Sequence, residues 1–228
     1  MPAAVEKPAW ALIDTVLLDL DGTLLDLAFD NYFWLEVIPA AYARSRSLTP
    51  AEARAVLLPR FRAREGTLAW YCIDHWTCEL QLDVAALKRA AAARIAWLPG
   101  AQAFLSSLRT AGKRLVLITN AHPQTLQIKD ERTGVTGFLD AVFSSHEFGA
   151  PKESSAFWDA VHKVEPFDRG RTLFVDDSPP VLQAARAAGI RWIYGVRQPD
   201  SARGPRDHET FPAVDFVSQL APGAACAP

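Results

Sequence analysis

Thr15-Val16-Leu17-Leu18-Asp19-Leu20-Asp21-Gly22-Thr23 decides how this chain is read. Its first four residues are β-branched or aliphatic, which reads as a short strand buried on both faces of a parallel sheet. The two carboxylates that follow then sit at the strand's C-terminal tip, the edge where open α/β sheets bind ligands. Asp19 and Asp21, two apart, would face one way on a strand. The turn that starts here lets them splay, so that one can attack while the other moves protons. Gly22 allows the sharp turn, and Thr23 offers a hydroxyl to hold the loop. The stretch points to a phosphate-handling enzyme.

Four more strand-like runs follow at 114–119 (RLVLIT), 141–145 (AVFSS), 171–175 (RTLFV) and 190–194 (IRWIY). Between them, 101–111, 123–133, 154–164 and 179–188 carry apolar residues at helical spacing. Pro123 and Pro179 open two of these helices, and Gly112, Gly134 and Gly189 close three, the ordinary punctuation of helix ends. Alternating strands and helices predict an α/β fold with a parallel sheet and helices on both faces. One stretch breaks the alternation. From about Asp30 to Trp97 only helical periodicity appears, over 36–44, 50–64, 68–80 and 84–96, punctuated by Pro39, Pro50, Pro59 and Gly66. A helical insertion placed directly after the first strand's tip would lie over it as a lid.

The chain has 228 residues, half of them hydrophobic, enough for a full core plus an insertion. Its net charge of −2 argues against a nucleic-acid-binding protein, which would show a basic patch or stripe. Three cysteines, Cys72, Cys78 and Cys226, form no CxxC pair and read as reduced thiols. The run from Cys72 to Cys78 contains His75, but its spacing fits no common zinc pattern. No basic start precedes an apolar segment, and no hydrophobic run approaches the ~18 residues of a membrane span. A soluble, cytoplasmic protein is predicted, and the Ala- and Pro-rich stretch 222–228 reads as a disordered tail.

Three later sites fall at the ends of later strands or in the loops beyond them: Thr119-Asn120, Pro151-Lys152 and Asp176-Asp177-Ser178. In a parallel sheet they converge on Asp19 and Asp21. The set suits phosphoryl transfer. Asp19 would attack phosphorus to form an aspartyl-phosphate. Asp21 would protonate the leaving oxygen and later deprotonate the attacking water. Acids crowded at Asp19, Asp176 and Asp177 would repel a phosphate unless a hard cation, Mg²⁺, sat among them. Thr119 and nearby backbone N–H groups would hold phosphate oxygens, and Lys152 would stabilise the transition state. Singly these readings are weak. Asp-Gly is a common turn signal, Asp176-Asp177-Ser178-Pro179 also suits a helix cap, and a lone lysine is usually solvated.

Together the four pieces DLDGT, TN, PK and VDDS match, in order, the motifs of the haloacid dehalogenase (HAD) superfamily, which this chain resembles. The resemblance implies a Rossmann-like core of five parallel strands ordered 5-4-1-2-3, with a helical cap of the C1 type inserted after strand 1. It implies a core at 1–28 and 98–221 and a cap at 29–97. By it Asp19 is the nucleophile, Asp21 the acid/base whose carbonyl reaches the metal, and Asp177 a direct metal ligand. Asp176 acts behind it or through water, and Thr119, Asn120 and Lys152 bind phosphate or substrate. Dehalogenases lack an acid two residues after the nucleophile, so Asp21 favours the phosphatase branch.

The run Asp26 to Trp34, with Trp70-Tyr71-Cys72 and Thr119-Asn120-Ala121-His122-Pro123, is similar to the bacterial GMP/IMP nucleotidases of that superfamily. That similarity implies hydrolysis of purine 5′-monophosphates. Phe29, Tyr32, Phe33, Trp34, Trp70 and Tyr71 either pack the lid or offer a face to a purine, with Asp30 and Asn31 reading its polar edge. His122 is either a helix-start residue or a group near the phosphate or ribose. The rival readings are a sugar-phosphate phosphatase or phosphomutase of the same superfamily, and a non-catalytic HAD-like protein that binds a phosphate ligand.

Overall fold

The computed structural model describes residues 7–223. The run that opens the chain's reading becomes β1 (Thr15–Leu18), all four residues buried. It lies between β2 (Arg114–Thr119) and β4 (Thr172–Asp176), with Leu17 opposite Val116 and Phe174. β3 (Ala141–Ser144) pairs with β2, and β5 (Trp192–Val196) with β4, all parallel. The pleat sends alternate residues to opposite faces. Val16 and Leu18 join Leu115, Leu117, Leu173 and Val175 in one apolar cluster, and Leu17 joins Val116, Ile118 and Phe174 in another. The first is closed by helices α7 (Ala101–Thr110) and α8 (Pro123–Thr133), through Phe104, Leu105, Leu108 and Ile128. The second is closed by α9 (Ser155–Val164) and α10 (Pro179–Ala187), through Phe157, Trp158, Val161, Val181 and Leu182. Burial on this scale is worth about 1.5–3 kcal/mol per large side chain, and a sheet covered on both faces is the result.

The sheet has six strands, not five. β6 (Ala213–Val214) pairs in parallel with β5, so the expected order 5-4-1-2-3 gives way to 3-2-1-4-5-6, or 6-5-4-1-2-3 read from β6. Two residues behind the polar, irregular stretch 198–212 carry too little periodicity to read as a strand. The expected tail at 222–228 lies, from 224 on, outside the described residues, as does Cys226.

Between β1 and α7 the described chain is helical, with an apolar cluster of its own built on Phe33, Leu57, Phe61, Trp76, Leu80 and Val84. The helix expected at 36–44 starts earlier. α1 (Ala28–Tyr32) runs through a π-helical turn (Phe33–Val37) into α2 (Ile38–Arg46), and the wider turn stands directly before Pro39, which has no N–H to continue an α-helical ladder. α3 (Pro50–Arg62) opens on a capping box between Thr49 and Glu52. The helix expected at 68–80 breaks at Cys72, whose extended backbone (φ −86°, ψ 108°) separates α4 (Leu68–Tyr71) from α5 (Ile73–Leu80). α6 (Val84–Ala91) stops short of the expected 96 and ends in a 3₁₀ turn (Ala92–Arg94). The chain enters and leaves this insertion side by side. Asp26 donates its N–H to Ala96 (2.9 Å), and Leu98 donates to Leu24 (2.9 Å).

Candidate active site

Asp19 follows β1 directly and stays in register, its N–H donating to Val175 of β4 at 3.1 Å. Its carboxylate therefore lies level with Asp176 and Asp177 at the end of the neighbouring strand. One oxygen from each of the three carboxylates lies within 4.8 Å of the others. Lys152, itself buried, donates to Asp19 and, at 2.7 Å, to Asp176. Burial alone would favour a neutral lysine, but the carboxylates of Asp176 and Asp19 hold Lys152 well above its ordinary pKa. The acids respond the opposite way. Burial pushes Asp19 up to about 6, Lys152 pulling down against it and Asp176 adding to it. Burial also raises Asp177, helped by Asp176 and Asp19, although Arg206 donates to it at 2.9 Å. A cluster of buried, oxygen-only donors that resist ionisation together fits a hard divalent cation such as Mg²⁺.

The turn after Asp21 is fixed by contact as much as by hydrogen bonds. Gly22 has φ +87°, and a Cβ there would come within 2.7 Å of the Asp177 carboxyl carbon and 2.8 Å of Pro199. Only glycine fits between the first strand's tip and the fourth's. The Thr23 hydroxyl, expected to hold this loop, is buried without a hydrogen-bond partner. The loop is held instead by backbone bonds from Gly22 to Leu25 and from Leu24 and Leu25 to Leu20.

Asp21 points to a partner that sequence reading misses. Lys129 of α8 places Nζ 2.5 Å from Asp21 Oδ1 and 2.5 Å from Asp30 Oδ2, and Lys88 of α6 completes the chain at 2.7 Å from Asp30 Oδ1. Both lysines are buried. Although 21% of the Asp21 side chain is exposed, desolvation pushes its pKa up to about 6 against the pull of Lys129. Asp30, also desolvated, is held down near 2 because two ammonium groups outweigh its burial. A lysine in the polar run QIKDERT reads as solvated. The available signal is spacing, since Thr125 and Lys129 stand four apart beside Ile128 on the buried face of α8.

Thr119 ends β2, buried, its hydroxyl accepting the N–H of Ala121 at 3.0 Å. Asn120, expected to bind substrate, lines the cavity with its amide engaged. Its Oδ1 accepts the Lys152 N–H (2.9 Å) and its Nδ2 donates to Glu153 (3.0 Å). Asn120 thus ties the loop carrying Lys152 to the end of β2. Glu153 also accepts the Tyr71 hydroxyl at 2.7 Å, so the insertion grips the same loop.

Above these groups lies a cavity of about 630 Å³, within the range of small-molecule sites. Its floor is Asp19, Asp21, Thr119, Lys152, Asp176 and Asp177, and its wall comes from the insertion, including Trp34, Phe61, Trp70 and Tyr71. Trp34 and Trp70 stack on each other with centroids 6.1 Å apart. The other expected aromatics are used elsewhere. Phe29 and Phe33 are buried in apolar clusters, and Tyr32 lies under the Arg94 guanidinium. Asp30 and Asn31 line the cavity, but Asp30 is taken by the two lysines and Asn31 donates to Asp200 at 2.6 Å. His122 sits 3.4 Å from Asp74 and against His146. It caps α8, as the simpler reading holds.

The site can be set beside known proteins. The family model for haloacid dehalogenase-like hydrolases matches residues 13–189. GMP/IMP nucleotidase YrfG of Escherichia coli (strain K12) is 41% identical over 214 residues, 94% of this chain and 96% of the relative. Phosphoglycolate phosphatase of Caulobacter vibrioides is 27% identical over 183 residues, 77% of this chain and 76% of the relative. The crystal structure of a HAD phosphatase from Thermococcus onnurineus shares the fold with a TM-score of 0.77 at 20% identity, covering 91% of this chain and 96% of that one.

Proposed function

The chain belongs to the haloacid dehalogenase-like hydrolase family and is a phosphatase of that family, and on that footing we propose that it hydrolyses purine 5′-monophosphates, GMP and IMP, through an aspartyl-phosphate. The observation that carries the substrate is the 41% identity, over nearly the full length of both chains, to a protein named GMP/IMP nucleotidase. The convergence of Asp19, Asp21, Thr119, Lys152, Asp176 and Asp177 on one cavity floor supports the chemistry.

An oxygen of Asp19 attacks phosphorus as the bond to the ester oxygen breaks, and Asp21 gives its proton to the departing nucleoside oxygen. Water then attacks phosphorus, Asp21 takes its proton, and Asp19 leaves as the carboxylate. A pKa near 6 suits a carboxyl that must give and regain a proton near neutrality. Lys152 and Thr119 hold the phosphoryl oxygens, and Asn120 holds Lys152 in place. Asp19, Asp177 and the Asp21 carbonyl would hold Mg²⁺, with Asp176 behind them. The ion would supply positive charge against the phosphate and the clustered acids.

We assign residues 29–97 as the cap and 1–28 with 98–221 as the core. The cap contributes Trp34 and Trp70 as apolar faces for a purine, and closure over the floor excludes bulk water.

The test is phosphate release from a panel of nucleoside monophosphates and sugar phosphates, with Mg²⁺ and with EDTA. Preferential release from GMP and IMP, abolished by EDTA and by Asp19→Asn, is expected. Release from sugar phosphates alone would keep the mechanism and discard the substrate. Full activity in Asp19→Asn would discard the mechanism.

A further inference from the structure

We propose that Cys72, His122 and His146 form a second metal site, for a thiophilic divalent cation of the zinc class, bridging the helical insertion and the sheet. Cys72 stands at the break between α4 and α5. His122 caps α8, and His146 lies in the 3₁₀ turn (Ser145–Phe148) after β3. One donor atom from each lies within 4.8 Å of the other two. Tetrahedral zinc at its usual bond lengths spaces nitrogen and sulfur ligands roughly 3.3–3.6 Å apart. Side-chain torsions closing the trio by about an ångström would meet that spacing.

The arrangement of His146 points to a ligand independently of that proximity. Its Nε2 is buried and has no hydrogen-bond partner. The backbone of Asn120 lies beside the same ring. A buried imidazole nitrogen with no hydrogen-bond partner is available to a metal ion. Burial holds both histidines below their ordinary pKa, and on binding an ion His122 would give up either its cap bond from the Gln124 N–H (3.4 Å) or its Nε2 proton. Cys72 Sγ already accepts the His75 N–H at 3.4 Å. Asp74, whose Oδ2 lies 3.4 Å from His122 Nε2, is a nearby fourth donor.

Sulfur and nitrogen donors separate this site from the oxygen cluster of Asp19, Asp176 and Asp177, which suits magnesium. The ligands come from both parts of the molecule, so a bound ion would tie Cys72 of the insertion to two residues on loops beyond β2 and β3.

The test titrates the full chain with Co²⁺, standing in for zinc, in saturating Mg²⁺. One equivalent should produce thiolate-to-cobalt charge-transfer absorption that Zn²⁺ displaces. Cys72→Ser should abolish the band, and His146→Gln should weaken cobalt binding at least about tenfold. Cys78→Ser and Asp19→Asn should keep it. Circular dichroism establishes that each variant is folded. Absence of the band in the unaltered protein, or its survival in Cys72→Ser, would overturn the site.

Discussion

Lys129 sets its ammonium 2.5 Å from a carboxylate oxygen of Asp21 while only 1% of its own side chain is exposed. The cation restrains Asp21 from drifting further towards the neutral acid, because it pulls down a pKa that burial has raised. Lys129→Met is expected to lower kcat on the order of 10- to 100-fold, within the contribution of a positioned acid/base group. The inflection governed by Asp21 should move to higher pH, since the opposing cation is gone. A pH–rate profile of the folded variant reads both effects. An unmoved inflection would mean that Lys129 supports only the fold.

Asp30 gives a stability prediction with a definite sign. Its pKa is lowered from the ordinary 3.8 to about 2 by Lys129 and Lys88, in spite of burial. A depressed acid stabilises the fold fully above its unfolded pKa and loses that contribution as pH falls through the folded value. Asp30→Asn should therefore cost about 3–5 kcal/mol at pH 7 by leaving buried lysines short of a carboxylate. The gap from the unaltered protein should narrow as pH drops from about 4 towards 2. Urea midpoints across that window measure it.

Trp70 faces the cavity and stacks on Trp34. If it carries the base, Trp70→Leu should raise KM for GMP about tenfold, matching the ~1–3 kcal/mol of one base–aromatic stack. The rate on a small phenyl phosphate should change little. Equal losses on both substrates would assign Trp70 to packing alone.

Gly22→Ala places a Cβ within 2.7 Å of the Asp177 carboxyl and forces a left-handed alanine. The backbone strain alone is worth about 1–2 kcal/mol. Displacement of Asp177 should also raise the half-saturating Mg²⁺ concentration. A thermal melt and a Mg²⁺ titration of activity report the two effects separately.

Much of this architecture is legible in the residues. β2 and α8 occupy the expected 114–119 and 123–133, because a continuous aliphatic run and a Pro-to-Gly helix are strong local signals. The four motifs reach one cavity floor because parallel strands deliver their C-terminal ends to one edge. What escapes is non-local. Lys129 and Lys88 become buried only through carboxylates of Asp21 and Asp30, supplied from far along the chain. β6 exists because β5 offers it an edge. The trio of Cys72, His122 and His146 spans the sequence too widely for any spacing rule.

The paired connections at Leu24–Asp26 and Ala96–Leu98 bear on how the molecule moves. Two chain segments clasped by hydrogen bonds around the Leu25–Trp97 bridge make a short ribbon, which bends more readily across its plane than within it. Gly22 is bonded to Leu25 in the same ribbon, one residue from Asp21. The helical layer can bend about this ribbon only as far as its other ties allow, the Tyr71–Glu153 bond and the chain Lys88–Asp30–Lys129–Asp21, and Asp21 stands at the ribbon's base. Under the proposed function, any bending at this joint would carry the Asp21 carboxylate with it.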